Sequence, residues 1–442
     1  MKAAIIAGGK GTRLASLAKD TAKALIKIGG KPVIEHQILL LKEYGIRDIW
    51  VLLGYLGEQV RDYLQTGEKW DVNIHYYQEA EPLGTAGALK QLEGEFKEDF
   101  LALSGDIMMD FDVKRFIDSH NQRKFALAKT AAGGVSLIIT HPNDHPFDSD
   151  LVEVDSAGQI ASLLRRPHSS GIIFRNLSIA SVFIFPPEIF KHIPAGKKCD
   201  IEKDILPVVL EFGNKIYSYS TPEYLKDMGT PERLAKVEQD FFSGKIKRLN
   251  LKNKRGAIFL DRDGVINQEI GQLSKIEDLK IYDFASEAIK KINDSDYLAI
   301  IITNQPMIAK GFMTEADLNK IHKKMETELG RNGAKIDAIY YCPHHPEKGF
   351  SGEIPELKIK CDCRKPNTGL IQKAVLDFNL DLNKCFFIGD SSGDAKTAEN
   401  AKINFIGVKT GYSCHDGKYQ INQEIPLYEN LLEAIKTILI PV

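Results

Sequence analysis

The sequence predicts an α/β protein built from two unlike domains. Short apolar runs ending in turn or carboxylate residues alternate with helical stretches along nearly all of the chain. These runs fall into two series: "KAAIIAG", "DIWVLLG", "VNIHYYQ", "FLALSGD" and "VSLIIT", then "GAIFLDRDG", "YLAIIITNQ", "AIYYCPH", "CFFIGDSS" and "INFIGVKTG". Between the series lies "SGKIKRLNLKNKRG", rich in Lys and Arg and poor in large apolar residues, which reads as a solvated linker or a phosphate-binding strip. The expected division is a domain over 1–242, a linker over 243–255 and a domain over 256–442. The chain's 442 residues leave room for two or three domains.

Composition narrows the function. Hydrophobic residues make up 43% and the formal net charge is −2, so nothing attracts nucleic acid or an anionic membrane in bulk. Anionic ligands must be held by locally placed Lys, Arg and N–H groups or by a metal. Runs such as "YLAIII" are too short to span a bilayer, and the opening "MKAAIIAGGKG" reads as a strand and glycine turn, not a signal peptide. The expectation is a soluble cytoplasmic protein acting on small molecules. Cys199, Cys342, Cys361, Cys363, Cys385 and Cys414 are clustered, which favours metal binding over a disulfide framework.

The first strand runs into "AAIIAGGKGTRL". Gly8, Gly9 and Gly11 let the backbone approach a ligand, and successive N–H groups can wrap a polyphosphate, although glycine turns also close strands for structural reasons alone. Thr12 and Arg13 follow Gly11, so this is not a P-loop. Lys10 and Arg13 add positive charge, and Lys23 lies in "AKALIKIGGKP". With "EPLGTAGAL", "LSGDIMMD", "DIEKDILP" and "YLKDMGTPERL" following in order, this half resembles the sugar-1-phosphate nucleotidyltransferases, of the mannose/heptose-1-phosphate guanylyltransferase type.

That resemblance implies a Rossmann-like, GT-A-like domain. In it a sugar 1-phosphate attacks the α-phosphorus of a nucleoside triphosphate, GTP by the same resemblance, and pyrophosphate leaves. It puts Gly8, Gly9, Gly11, Thr12, Gly84 and Thr85 on the nucleotide, Arg13 and Lys23 on the phosphates as catalytic cations, and Mg²⁺ between Asp106 and Asp227. Three departures concern the sugar and the turn. Ala22 replaces a usual proline. "LSIASVFIF" gives Ile179, Ala180 and Ser181 in place of Asn-Ala-Gly, with Asn176 near enough in sequence to supply a lost hydrogen bond. "LLRRPH" offers Arg165 and Arg166 on the sugar side, where relatives carry Glu-Lys-Pro.

The second series opens with "AIFLDRDGVIN". Asp261 and Asp263 at a strand end can face one site, one attacking phosphorus and the other handling the leaving group's proton; an exposed acidic turn would read the same. Thr303 and Asn304 end the next strand, Arg364 and Lys365 stand in "CRKP", and Asp390 ends "FFIGD" with Asp394 four residues on. Strand ends of a parallel sheet converge on one crevice. The set resembles the haloacid dehalogenase (HAD) phosphatases, which implies a Rossmannoid domain. In it Asp261 forms an aspartyl-phosphate, Asp263 is general acid/base, and Thr303, Asn304, Arg364 and Lys365 bind substrate. Asp261, Asp263 and Asp390 hold Mg²⁺.

Cys342-x-His344 and Cys361-x-Cys363 supply four N/S ligands, which suits tetrahedral Zn²⁺ with no open position, so this metal is structural. His345 is left out of the set. The zinc loop runs straight into Arg364 and Lys365. Its wording, "CPHHP" then "CDCRKP", resembles the heptose 1,7-bisphosphate and histidinol-phosphate phosphatases, with Pro306, Met307 and Ser391 as departures. Both halves then fit one route. The 7-phosphate is removed from D-glycero-D-manno-heptose 1,7-bisphosphate, and the resulting heptose 1-phosphate is guanylylated to GDP-heptose. The rivals are a mannose-1-phosphate guanylyltransferase joined to a histidinol-phosphate-like phosphatase, and a phosphatase with a regulatory sugar-nucleotide-binding domain.

Overall fold

The apolar runs become strands, and burial explains why the second series is so uniformly apolar. Its central strands, Ala257–Leu260, Leu298–Asn304 and Phe386–Gly389, are covered on both faces. Ile258, Leu260, Ala299, Ile301 and Ile388 enter one core; Ala257, Phe259, Leu298, Ile300 and Phe387 enter another. A strand with no solvated side reads as an unbroken apolar run.

The computed structural model describes residues 1–9, 20–127, 134–421 and 424–439. The chain divides into two units: Met1–His141, Val152–Leu164 and Ile179–Asn250 form the first, and Pro142–Leu151, Arg165–Ser178 and Leu251–Val442 form the second. Both are α/β.

In the first unit, Ala3–Ala7 lies between Asp48–Leu53 and Phe100–Ser104, parallel to both. Asn73–Gln78 extends the sheet beyond Asp48–Leu53, and Ser178–Phe185 joins Phe100–Ser104 antiparallel. A separate antiparallel pair, Ile107–Asp110 with Tyr224–Asp227, sets Ile107 opposite Asp227. The helix Val33–Glu43 buries Val33, Ile34, Ile38 and Leu41, a helical spacing of apolar positions. The helix Pro231–Phe242 starts with proline, and the Thr230 side chain accepts from Arg233 N, a capped first turn.

In the second unit the sheet runs Ala338–Cys342, Leu298–Asn304, Ala257–Leu260, Phe386–Gly389, Asn404–Val408, Leu427–Tyr428. Each adjacent pair is parallel, so all carboxyl ends lie on one edge. Capping boxes start two of its helices: Thr314 with Asp317 opens Glu315–Arg331, and Ser391 with Asp394 opens Ser392–Ala401.

Two expectations about the chain's division need correction. Residues 142–151 and 165–178, expected in the first domain, belong to the second unit. Phe174 is fully buried there: its N–H donates to Thr327 Oγ1 at 2.9 Å, and Arg175 Nε lies 2.5 Å from Glu326 Oε2. A side chain at Gly330 would press on the Pro146 ring, so the glycine permits that approach. Nor is 243–255 a free linker. Lys245–Arg248 is a short helix, and Ile246 packs with Met108, Tyr224, Met228 and Val237 while Leu251 packs with Phe259 and Phe387. Two apolar residues suffice to seat a stretch whose charges dominate its composition.

Candidate active sites

In the first unit the antiparallel pair sets Asp106 and Asp227 at adjoining strand ends, and Met228 N–H donates to Asp106 O at 3.3 Å. Lys23 Nζ forms a close ion pair with Asp106 Oδ2, and Ser104 Oγ donates to Asp106 Oδ1 at 2.7 Å. Asp227 accepts from Gly229 N at 2.8 Å and from Arg233 Nη1 at 2.5 Å. Burial pushes the Asp227 carboxyl up, but the hydrogen bond and charge of Arg233, with Gly229 N–H and Lys23, hold it below the ordinary value. Lys23 thus pairs with Asp106, and its charge also acts on Asp227. Arg233, which the sequence reading did not single out, pairs with Asp227.

Gly8 ends the first strand beside Gly54. A side chain on Gly8 would press on Glu79 Oε2, and one on Gly54 on Gly8 itself, so these glycines allow two strand ends to touch. A side chain on Gly9 would meet open space. Lys10, Gly11, Thr12 and Arg13 lie outside the described residues. Gly84 has φ +74°, and a side chain there would strike Cys199 O. Thr85 Oγ1 accepts from Ile201 N at 2.8 Å and lies 3.3 Å from Asp200 Oδ1, so this hydroxyl ties "GTAG" to "DIEKD".

The sugar-side expectations fare differently. Asn176 is buried and spends its amide on Asn143, accepting from its N–H and donating to its carbonyl, so it is not available to a sugar. Arg166 lies in the segment grouped with the second unit, and its Nη1 donates to Asp148 O at 2.7 Å. Ser181, where the resemblance expects glycine, takes φ +50° and bonds to Glu202. The left-handed backbone that suits glycine is kept without it.

In the second unit, Asp261 follows one strand and Asp390 the next. Lys365 Nζ lies 2.8 Å from Asp261 Oδ2 and 2.6 Å from Asp394 Oδ1. Asp261, Asp390 and Asp394 offer ligand oxygens within 4.8 Å of one another. Gly264, Gly389 and Gly411 make room: side chains there would run into Asp390, Asp394 and Asp390 respectively. Burial, then the Asp394 charge, pushes the Asp261 carboxyl up to about 7 despite Lys365. Burial with Asp394 and Asp261 pushes Asp390 up to about 9. Burial alone would lower Lys365, but Asp261 and Asp394 raise it instead. Three carboxylates and one ammonium leave excess negative charge, which a hard divalent cation bound to oxygen would neutralise.

The Asp263 side chain is held by three neighbours. Burial would raise its pKa, yet the Arg262 guanidinium, Asn267 and Gln305 hold it below the ordinary value. Its carboxylate accepts from Arg262 Nη2 at 2.8 and 2.9 Å, from Asn267 Nδ2 at 2.9 Å and from Gln305 Nε2 at 3.1 Å. Those donors engage both oxygens of the side chain, while Asp394 lies with Asp261 and Asp390 in the carboxylate cluster. Thr303 is buried and accepts from Gln305 Nε2 at 2.9 Å. Asn304 pins Lys365 from both sides, accepting from its N–H at 3.0 Å and donating to its carbonyl at 3.2 Å.

Cys342, His344, Cys361 and Cys363 come together. His344 Nδ1 is 3.2 Å from Cys363 Sγ and 3.6 Å from Cys342 Sγ, while Cys363 Sγ is 3.1 Å from Cys342 Sγ and 3.3 Å from Cys361 Sγ. Edges of this length, with three sulfurs and one nitrogen, fit a four-coordinate metal. His345 Nδ1 instead faces Glu347 O at 3.4 Å. Arg364 Nη1 donates to His344 O at 3.2 Å, linking the cluster to the cations that follow it.

Comparison with known proteins divides the chain similarly. A family described as nucleotidyl transferase matches residues 2–243, and one described as polynucleotide kinase 3 phosphatase matches 259–429. A D-glycero-beta-D-manno-heptose-1,7-bisphosphate 7-phosphatase of Pasteurella multocida (strain Pm70) is 37% identical over 182 residues, 41% of this chain and 96% of the relative. A D-glycero-D-manno-heptose-1,7-bisphosphate 7-phosphatase of Thermosynechococcus vestitus is 33% identical over 190 residues, 42% of this chain and 95% of the relative. Among solved structures, HddC from Yersinia pseudotuberculosis complexed with GMP-PN is similar at 25% identity and TM-score 0.45, over 54% of this chain and 99% of that one.

Binding of a cation at the carboxylate cluster is expected to depend on pH. Asp261 and Asp390 hold protons more tightly folded than unfolded, so the stability they contribute is present at low pH and lost as pH rises through about 7 and about 9. A cation needs them ionised and must displace those protons. The rise in Tm produced by saturating MgCl₂ is therefore expected to be larger at about pH 8.5 than at about pH 6, and to shrink in Asp390→Asn. Equal rises at both pH values in the wild type would contradict the cluster as a cation site.

Proposed function

The chain belongs to the nucleotidyl transferase family and, over its second part, to the heptose-bisphosphate 7-phosphatases, and from that premise we propose that it makes GDP-heptose in two steps. It is a nucleotidyltransferase joined to a phosphatase. In our reading the second unit removes the 7-phosphate of heptose 1,7-bisphosphate, and the first transfers guanylyl from GTP to the heptose 1-phosphate so formed. The heptose substrate is supported by the relatives' names, and GTP by the resemblance of the first half to guanylyltransferases. The observation that carries the reading is that each unit builds its own group of catalytic cations and carboxylates.

In the phosphatase, Asp261 is the nucleophile. Lys365 Nζ, between Asp261 and Asp394, steadies the carboxylate and meets the incoming phosphate. Asp261, Asp390 and Asp394 would hold Mg²⁺, whose charge lets an anionic carboxylate approach an anionic phosphate. Asp263 supplies and recovers the proton. Cys342, His344, Cys361 and Cys363 would hold Zn²⁺ and fix the loop leading to Arg364 and Lys365. In the transferase, Lys23 neutralises phosphate charge, and Asp106 and Asp227 would hold the Mg²⁺ that the triphosphate requires. The transferase is proposed for the first unit and the phosphatase for the second, and the cytoplasm is the proposed location. Among the described residues, no helix is long and apolar enough to cross a membrane.

Two experiments test the reading. Cys361→Ser is expected to lose zinc on metal analysis, lower the phosphatase's thermal stability and raise its KM, because a structural zinc site supplies on the order of 10 kcal/mol of binding free energy to local folding. Zinc-free wild type with full phosphatase activity would remove the zinc assignment. With heptose 1,7-bisphosphate and GTP, Asp261→Asn is expected to release neither phosphate nor pyrophosphate, yet to make GDP-heptose from supplied heptose 1-phosphate. Asp106→Ala should release phosphate only. Refusal of both heptose phosphates, with good turnover of mannose 1-phosphate and GTP, would replace the heptose route by its mannose alternative. A first unit inert with every sugar phosphate would instead be a regulatory binder.

A further inference from the structure

Arg262 stands between the two aspartates of "DRD" and is fully buried. Its guanidinium reaches Asp263 through Nε at 3.1 Å and Nη2 at 2.9 and 2.8 Å. Nη2 also donates to Gln305 Oε1 at 3.0 Å, and Nη1 faces His322 Nε2 at 3.3 Å. The same residue's N–H donates to Asp261 Oδ1 at 2.7 Å, and its carbonyl accepts from Ile266 N and Asn267 N at 2.9 and 3.2 Å. Burying a guanidinium is costly, and an apolar side chain would fill the space without that cost. What arginine adds is a rigid fork that holds a carboxylate in one orientation.

We infer that Arg262 is a positioning residue for the phosphatase, fixing the Asp263 carboxylate for proton transfer in both halves of the reaction. The inference rests on the reading of Asp261 as nucleophile. In the first half an Asp261 oxygen bonds to phosphorus, the phosphorus–sugar oxygen bond breaks, and the departing oxygen takes a proton from Asp263. In the second, water attacks that phosphorus, the bond from phosphorus to Asp261 breaks, and the water's proton passes to Asp263. Orthophosphate leaves and both side chains are restored. Each half needs Asp263 within hydrogen-bond reach of an oxygen on the reaction axis, and misplacement by about 1 Å costs roughly 100-fold. The donors around Asp263 suit its carboxylate form, so loss of the fork falls hardest on water activation.

The test is Arg262→Gln in the full chain, with thermal unfolding and hydrogen-exchange protection of the second unit, each compared with wild type, as the measure of folding. On the sugar bisphosphate, kcat is expected to fall about 10- to 100-fold with KM within about threefold. With p-nitrophenyl phosphate, whose leaving group needs no proton, the variant should give a burst of about one nitrophenolate per site and then slow turnover. In an Asp263→Asn background, Arg262→Gln should cost nothing further, since it acts through that side chain. Arg262→Lys keeps the charge but loses the fork, and should show the same burst with a smaller loss; it decides the matter if the glutamine variant does not fold. Wild-type kcat, a rise in KM alone, or a loss that multiplies that of Asp263→Asn would overturn the inference. Asp261→Asn retaining phosphatase activity would instead refute the nucleophile beneath it.

Discussion

The second unit is organised around a crowding of negative charge. Asp261, Asp390 and Asp394 share one end of a parallel sheet, and Lys365 is the buried ammonium set between two of them. Burial first, and then the neighbouring carboxylate charges, push two of these carboxyls up. Much of the surrounding structure serves that crowding. Gly264, Gly389 and Gly411 leave space for carboxylates, and Asn304 grips both backbone polar groups of Lys365. The capping box of Ser391 orients Asp394 while starting a helix. A site that repels itself when empty is matched to an anionic phosphate only in company with a divalent cation.

The sulfur-rich cluster belongs to the same logic. Lys365 comes from a loop, and its ammonium pairs with two carboxylates. Cys361 and Cys363 stand just before Arg364 and Lys365, and Arg364 reaches back to His344 O. A metal held by those four ligands would fix the loop at a point two residues from Lys365. The first unit solves its smaller problem differently. Lys23 and Arg233 each take one carboxylate, and a two-stranded pair brings those carboxylates together.

Strand ends and ligand spacing were legible in the sequence. Asp261, Asp390, Lys365 and the Cys342–His344–Cys361–Cys363 set stand out because chemistry-bearing residues follow apolar runs or recur at metal-ligand spacing. Asp106 and Asp227 were legible only through resemblance, since one carboxylate after a strand is common. Partner choice was not legible. Arg262 looks like a spacer between two aspartates, and nothing local says that it turns inward to clamp one of them. For the same reason the partners that engage the Asp263 and Asn176 side chains were not legible. The packing of 165–178 with the helix Glu315–Arg331 depends on residues more than a hundred positions apart, beyond any periodicity.

Two sites working in series impose an order that can be watched directly. A ³¹P NMR time course of the wild type with heptose 1,7-bisphosphate, GTP and MgCl₂ separates the 7-phosphate, orthophosphate, pyrophosphate and sugar-nucleotide signals. Orthophosphate should appear first, heptose 1-phosphate should rise and fall, and pyrophosphate should grow with GDP-heptose only after the 7-phosphate signal has begun to decline. Pyrophosphate growing while the 7-phosphate stays intact, or orthophosphate release with no later nucleotidyl transfer, would contradict a chain that dephosphorylates first and activates second.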